Sequence, residues 1–278
     1  MVALFAATPA HTATSAASPA GKALRIVSLA PHLTELAYSA GAGDRLVGAD
    51  AYSDYPPQAR ALPRVGDAFQ VDYERLLALR PDLVLVWTTG TPSTVIEQIS
   101  SLGLRVERVQ IARLADIPAA LVQIGDLAGT QSQALRAART FSARVAQLRA
   151  ANAGRAPLSV FYQISETPLY TVSGQHVISE MIELCGGRNI FAELEQLAPP
   201  VGVEAVIERD PQVIITADGA QGDPLSVWRR WPGIRAVRQR NLYTVSADRV
   251  ARSTTRIVEG AEQICAAIDS ARRKPAAN

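Results

Sequence analysis

The chain contains few patterns of residues that could carry out nucleophilic or acid–base chemistry. Of its three histidines, His11 lies in a biased amino-terminal segment, and His32 and His176 each lie near a predicted helix start. No Gly-x-Ser-x-Gly elbow, zinc-ligand spacing or phosphate-binding glycine loop after a strand occurs. We therefore predict a binding protein with no catalytic residue and no resident metal. A small α/β enzyme is the alternative class.

Aromatic side chains follow predicted strands, where α/β proteins commonly bind ligands. Tyr52 and Tyr55 lie in the loop after an apolar run at 46–48, and Trp87 ends another such run. Phe69 lies in the connection between them. Large, flat and rigid side chains of this kind suit a corrin or a porphyrin. We predict ligand contact for Trp87 and Tyr52 and packing for Tyr55, while Phe69 fits either role.

Alternating apolar runs and helical patterns predict the elements that position these side chains. An apolar run at 24–29 predicts a buried strand that Pro31 ends, and residues 33–40 have helical spacing that ends at Gly41. Similar alternation continues to residue 109. This order predicts an α/β lobe with a largely parallel sheet.

Residues 116–151 are almost all helix formers, interrupted only by Gly125 and Gly129. The stretch 131–151 is long enough for one helix of roughly 30 Å. Two interpretations remain open from the residues alone. The segment is either a semi-rigid connector between two α/β lobes or a pair of ordinary helices packed on the first lobe.

The second half of the chain repeats patterns of the first. We predict strands at 158–163, 169–172, 213–216 and 242–245, and helices at 176–184, 203–209 and 255–271. Segments 72–85 and 202–215 match: each has a possible helix cap, a Glu two positions later, a proline seven after the Glu and an apolar run. A second pair in the same order, 34–41 and 179–186, supports a duplicated, two-lobed protein.

Short motifs between residues 24 and 270 point to a family. They are Ser-Leu-Ala-Pro at 28–31, Thr-Glu-Leu at 34–36, Tyr-Ser-Asp-Tyr-Pro at 52–56, Glu-Arg at 74–75, Arg-Pro-Asp-Leu-Val at 80–84 and Cys-Gly-Gly at 185–187. In these motifs the chain resembles the periplasmic cobalamin (vitamin B12)-binding proteins, the substrate-binding components of ABC importers. The wider family also binds haem and iron siderophores, and the Tyr-Ser-Asp-Tyr-Pro loop is the feature that points to cobalamin.

The resemblance implies both fold and function. The expected fold is α/β, with two Rossmann-like lobes joined by a long backbone helix, as in class III periplasmic binding proteins. The expected function is capture of cobalamin or a related corrinoid between the lobes, as ligand and not as catalytic cofactor, and its delivery to the permease subunits of an ABC importer at the inner membrane. We expect a periplasmic monomer. The alternative ligands are an iron siderophore or haem, for which Tyr52 or His32 would supply the axial ligand.

The resemblance also implies a set of ligand-binding residues. They are Pro31, Tyr52, Phe69, Trp87, Tyr162, Asp248 and Arg252. The chain departs from well-known family members, which have tryptophans near the positions of Ala68 and Arg249. This departure puts the second-lobe contacts in doubt, and Asp248 and Arg252 could instead pair with each other on the surface.

Glu74 and Glu204 occupy matching positions in the two repeated segments. By resemblance, this pair docks onto arginines of the permease. A carboxylate in the first turn of a helix also stabilises that helix by about 0.3–1 kcal/mol through the helix dipole. Dipole stabilisation alone is therefore the alternative explanation for both residues.

Cys185 and Cys265 are the only cysteines of the chain. Two free buried thiols would suit a cytosolic protein, whereas an even number in an exported protein favours a disulfide. Together with the resemblance to an exported family, the count predicts a Cys185–Cys265 bridge.

Length and composition limit the number of hydrophobic cores and the classes of partner. The 278 residues are 48% hydrophobic with a formal charge of +2, which allows one large or two small cores and gives no basic footprint for nucleic acid. Residues 1–23 resemble a secretory signal, with a disordered tail as the alternative. We predict an N-terminal lobe at 24–111, a helical connector at 112–152, a C-terminal lobe at 153–273 and a tail at 274–278.

Overall fold

Short apolar runs form the strands of a first parallel sheet, and the segments between them form its covering helices. The computed structural model describes residues 24–219 and 222–274. The signal-like segment, 1–23, and residues 275–278 of the predicted tail lie outside the described residues. The elements of the first half are β1 (Ile26–Ser28), α1 (Pro31–Ser39), β2 (Leu46–Ala49), α2 (Tyr73–Ala78), β3 (Leu83–Trp87), α3 (Ser93–Ser101), β4 (Val106–Val109), α4 (Asp116–Ala128) and α5 (Gln131–Asn152).

The second half repeats the topology of the first. Its elements are β5 (Leu158–Gln163), β6 (Ser165–Glu166), β7 (Leu169–Tyr170), α6 (Val177–Leu184), β8 (Gly187–Asn189), α7 (Val203–Arg209), β9 (Val213–Ala217), α8 (Arg235–Arg238), β10 (Leu242–Val245), α9 (Ala247–Val250) and α10 (Ile257–Arg273). The two parallel sheets have the strand orders β2-β1-β3-β4 and β8-β5-β9-β10. Counted along the chain, both orders are 2-1-3-4. These sheets and the long helices confirm the predicted α/β fold class.

One local prediction is only partly right. The run predicted as a strand at 169–172 forms only the short strand β7, which pairs antiparallel with β6. Gly187 begins strand β8, and the position suits glycine because a Cβ there would lie 2.8 Å from Ile182 Cγ2 and 2.9 Å from Ile268 Cδ1. Trp231 is 42% exposed.

Two glycines allow α4 and α5 to pack closely against each other. A Cβ at Gly125 would lie 2.3 Å from Ala134 Cβ, and Gly129 ends α4 with a φ of 71°. The predicted long helix is present as α5, with 22 residues. One buried apolar cluster contains side chains from both sheets and from α1, α4, α5 and α10. The two halves are therefore joined by continuous packing as well as by the chain.

The predicted disulfide is confirmed. Cys185 follows α6 and Cys265 lies in α10, and their Cα atoms are 4.7 Å apart. Both residues are buried, so the bridge joins helix α10 to the end of helix α6 inside the core.

A buried carboxylate connects the two halves at one end of their interface. Glu35, on α1, is 2% exposed. Arg256, which precedes α10, donates from Nε to Glu35 Oε2 at 2.8 Å and from Nη2 to Oε1 at 2.6 Å. Arg252 donates from Nη1 to Glu35 Oε1 at 3.1 Å. Two parallel N–H···O bonds to one carboxylate combine charge attraction with fixed geometry.

Further contacts surround this ion cluster of Glu35, Arg252 and Arg256. Arg252 Nη1 also donates to Asp54 Oδ1 at 2.5 Å, and the Arg256 guanidinium lies 3.7 Å from the ring centroid of Tyr55. All of these contacts join the first half of the chain to residues that follow β10. Tyr55 therefore contacts Arg256 while its side chain stays 41% exposed, and its packing role remains a prediction.

We expect reduction of the disulfide to lower the free energy of unfolding by about 4 kcal/mol, because an 80-residue loop is then free in the unfolded chain. The measurement is denaturant unfolding of the protein refolded with and without a reductant. The double variant Cys185→Ala/Cys265→Ala is the control and should not respond to the reductant. An equal stability of the oxidised and reduced parent would contradict the prediction.

We expect Glu35→Ala to lower the free energy of unfolding by about 3–5 kcal/mol, because it leaves the buried guanidinium of Arg256 without its carboxylate and removes one of the two close carboxylate partners of Arg252. Glu262→Ala is the matched control, since it breaks a pair with Arg144 that also links the helical segment to α10 but is 39–45% exposed. Exposed pairs contribute about 0–1 kcal/mol. Similar losses in the two variants, measured by denaturant unfolding, would show that the buried cluster does not hold the halves together.

Candidate functional site

A cavity of about 400 Å³ opens at the carboxyl ends of strands β1, β2 and β3. Ala30 and Pro31 follow β1, Asp50 follows β2, and Trp87 ends β3. The opposite wall is the segment 251–253, after α9. Parallel strands place their carboxyl-end loops at one edge of a sheet, so residues distant in sequence meet here. The cavity thus lies between the two halves of the chain.

Three aromatic side chains supply the apolar surface of this cavity. Tyr52 is 66% exposed and Phe69 is 70% exposed, although both line the opening. Trp87 lies deeper and meets the His32 ring edge-on, with ring centroids 5.1 Å apart. Large aromatic surfaces left open at the mouth of a cavity are typical of a binding site rather than of a packed core.

His32 is a neutral imidazole in the wall of the cavity. It is 8% exposed, and burial together with the positive charge of Arg252 lowers the pKa of His32 to about 4. At neutral pH its ring therefore has one N–H donor and one free acceptor nitrogen. Such a nitrogen is able to bind a ligand's hydrogen-bond donor or its metal.

Two carboxylates also line the cavity, and the sequence reasoning missed both. Asp50 is 2% exposed and accepts a hydrogen bond at Oδ1 from Tyr52 N at 2.8 Å. Asp67 accepts at Oδ1 from Phe69 N and from Gln70 N, each at 2.8 Å. Each Asp thus orients an aromatic residue of the opening through its backbone. The available signal was the position of Asp50 directly after a predicted strand.

Arg252 is the cation of the cavity wall, and it is already paired. Its guanidinium bonds to Glu35 and Asp54, and its Nη2 lies 3.8 Å from Asp248 Oδ1. The hydrogen bond and the charge of Arg252 lower the pKa of Asp54. The pairing of Asp248 and Arg252 considered from the sequence is therefore a minor part of a larger cluster. Its centre, Glu35, belongs to the Thr-Glu-Leu motif, but the motif does not predict the arginine partners.

The structure brings together five of the seven predicted ligand residues. The five that line the cavity are Pro31, Tyr52, Phe69, Trp87 and Arg252. Asp248 does not line it, and its side chain is 63% exposed. Tyr162 is 2% exposed at the centre of the second sheet, and burial raises its pKa. Direct ligand contact by all seven residues remains a prediction.

The arrangement suits the binding of a flat apolar face with polar edges. The described residues contain no group of three or more His, Cys, Asp or Glu side chains placed to hold a metal ion. Within the same residues, no helix combines the length and the apolar character needed to cross a bilayer.

Comparisons with known proteins agree on the family. The family described as periplasmic binding protein matches residues 26–248. The vitamin B12-binding protein of Vibrio cholerae is 37% identical over 251 residues, which cover 90% of this chain and 91% of that protein. The crystal structure of the periplasmic vitamin B12-binding protein BtuF of Vibrio cholerae superposes with a TM-score of 0.81 at 36% identity, covering 90% of this chain and 98% of that one.

A more distant structure has the same fold. The periplasmic haem-binding protein HutB of Vibrio cholerae has a TM-score of 0.76 at 21% identity, covering 88% of this chain and 98% of that chain. The likeness at this identity shows the fold alone. The matches together confirm the predicted resemblance and the periplasmic localisation. The chain belongs to the periplasmic binding protein family.

Proposed function

We propose that this protein captures a cobalamin-type corrinoid in the cavity and delivers it, without catalysis, to the permease of an ABC importer. The observation that carries the proposal is the open aromatic cavity between the two halves, in a chain 37% identical to a vitamin B12-binding protein. In this proposal residues 24–111 and 153–273 are the two lobes, and residues 112–152 connect them.

The geometry supports a flat macrocycle on physical grounds. Tyr52, Phe69 and Trp87 expose aromatic surface whose burial by a ligand would be favourable, and their few rotatable bonds limit the entropy lost on binding. The neutral His32 and the acceptor oxygens of Asp50 and Asp67 offer polar contacts for the edge of the ring. Binding of this kind needs no reacting group.

Haem is the second candidate, because one observation favours it. The imidazole of His32 is neutral and lines the cavity, so it has a lone pair available for an iron atom. Absorption spectra separate the two candidates, since a bound porphyrin has a Soret band and a corrinoid has a different spectrum.

Glu74 and Glu204 have the positions expected of a docking pair. They lie in the first turns of α2 and α7, which precede the equivalent strands β3 and β9. Both side chains are exposed, and within the described residues neither takes part in a salt bridge. We propose that they meet arginines of the permease, one from each lobe.

We expect calorimetric titration with cyanocobalamin to show binding, and Trp87→Ala and Tyr52→Ala each to weaken it by about 30-fold or more. The physical reason is that loss of a large aromatic contact in a desolvated site costs about 2 kcal/mol or more. Trp231→Ala is the matched control, because this half-exposed tryptophan lies outside the cavity.

Two outcomes would contradict this assignment. If Trp87→Ala and Tyr52→Ala both fold and bind cyanocobalamin with the affinity of the parent, Trp87 and Tyr52 have only a packing role. Absence of cyanocobalamin binding by the parent, together with a saturable shift of the Soret band on titration with hemin, would replace the corrinoid by haem.

We expect Glu74→Ala/Glu204→Ala to bind cyanocobalamin as the parent does but to bind the reconstituted importer more weakly. Charges at an exposed rim act mainly on association rate, whereas a buried pair costs about 2–5 kcal/mol when truncated. The matched control is Glu97→Ala/Glu208→Ala, which removes two other exposed carboxylates from helices of the same two halves. Importer binding equal to that of the parent would refute the docking role, and a loss of ligand affinity would place the pair inside the cleft.

A further inference from the structure

The charges that line the cavity are unbalanced. Asp50 and Asp67 line it, and within the described residues neither forms a salt bridge. Arg252 is the cation of the lining, and its charge is already matched by Glu35 and Asp54. His32 is neutral at physiological pH. A ligand therefore meets a lining with a net negative charge and, among the described residues, no unpaired cation.

The two carboxylates belong to neighbouring loops and act on each other. Ala51 N donates to Gly66 O at 2.7 Å, which holds the two loops side by side. Burial raises the pKa of the Asp50 carboxyl, and the charge of Asp67 raises it further, against the lowering effects of the Tyr52 N–H, of Arg64 and of Arg252. In both residues the backbone hydrogen bonds go to Oδ1. Oδ2 of each receives none within the described part of the chain, so it is available to a ligand.

The chemistry of a carboxylate oxygen decides what it can recognise. An ionised carboxyl accepts hydrogen bonds and donates none, and its bonds from N–H groups are charge-assisted. The rim of a corrin carries neutral carboxamides with N–H donors, whereas the rim of haem carries two carboxylates. A ligand carboxylate placed against Asp50 or Asp67 would be repelled in a partly desolvated site.

We propose that Asp50 and Asp67 are specificity-determining residues, which accept hydrogen bonds from the amide edge of a macrocycle and reject macrocycles with a carboxylate at that edge. This inference rests on the proposed corrinoid function and makes it narrower. The negative charges of Asp50 and Asp67 would then select among flat ligands. The aromatic side chains would supply affinity for any flat ligand.

The test compares cyanocobalamin with its monocarboxylic acids, prepared by partial hydrolysis of the peripheral amides and separated as isomers. At low ionic strength we expect the parent to bind at least one isomer about tenfold or more weakly than cyanocobalamin. In Asp50→Asn/Asp67→Asn this difference should fall to about threefold or less, because the amide retains the Oδ1 acceptor for the loop but removes the charge. The control is Asp126→Asn/Glu97→Gln, which removes two exposed carboxylates outside the cavity and should discriminate as the parent does.

Each result decides the inference separately from the proposed function. If the parent binds cyanocobalamin and every isomer equally, the proposed role of Asp50 and Asp67 in specificity is wrong and the corrinoid function stands. The proposed role is also wrong if Asp50→Asn/Asp67→Asn discriminates between cyanocobalamin and its monocarboxylic acids as strongly as the parent does. Absence of cyanocobalamin binding by the parent refutes the proposed function itself. If the double variant does not fold, Asp67→Asn decides alone, since Asp67 is only half-buried and should lose part of the discrimination.

Discussion

The arrangement of the two halves depends on the buried carboxylate of Glu35. A carboxylate that is 2% exposed cannot stay ionised without partners, because burial in a medium of low dielectric constant costs several kcal/mol. Its partners, Arg252 and Arg256, come from the segment between β10 and α10. The need to satisfy this charge brings that segment against α1 and the loop that contains Asp54 and Tyr55. One wall of the cavity is placed by the same contacts.

This placement also determines the electrostatics of the cavity. Arg252 lines it, but its positive charge is already paired with the carboxylates of Glu35 and Asp54. The carboxylates of Asp50 and Asp67 form no salt bridge within the described part of the chain, and they lie beside aromatic surfaces that carry no charge. The cavity thus combines aromatic surface for a flat ligand with carboxylate oxygens that can accept hydrogen bonds. In the proposed recognition, affinity and selectivity come from different side chains.

The duplicated topology explains how two small sheets form one binding protein. Both have the strand order 2-1-3-4, so equivalent elements occur at equivalent positions in each half. Glu74 and Glu204 share one such position, at the start of α2 and α7. A continuous core through α4, α5 and α10 limits how far the halves can move apart. A docking surface made of one point on each half needs such a fixed separation.

The sequence by itself determined the features whose signals are local. Apolar runs and helical spacing predicted most strands, the helix α5 and the fold class, and short motifs and the two cysteines predicted the family and the disulfide. Tertiary structure decided the features that join distant residues. Strand β8 depends on its packing against α6 and α10, and the partners of Glu35 are 217 and 221 residues away along the chain. No local pattern marks such pairs, because a buried charge selects its partners by geometry and desolvation after the two halves have packed.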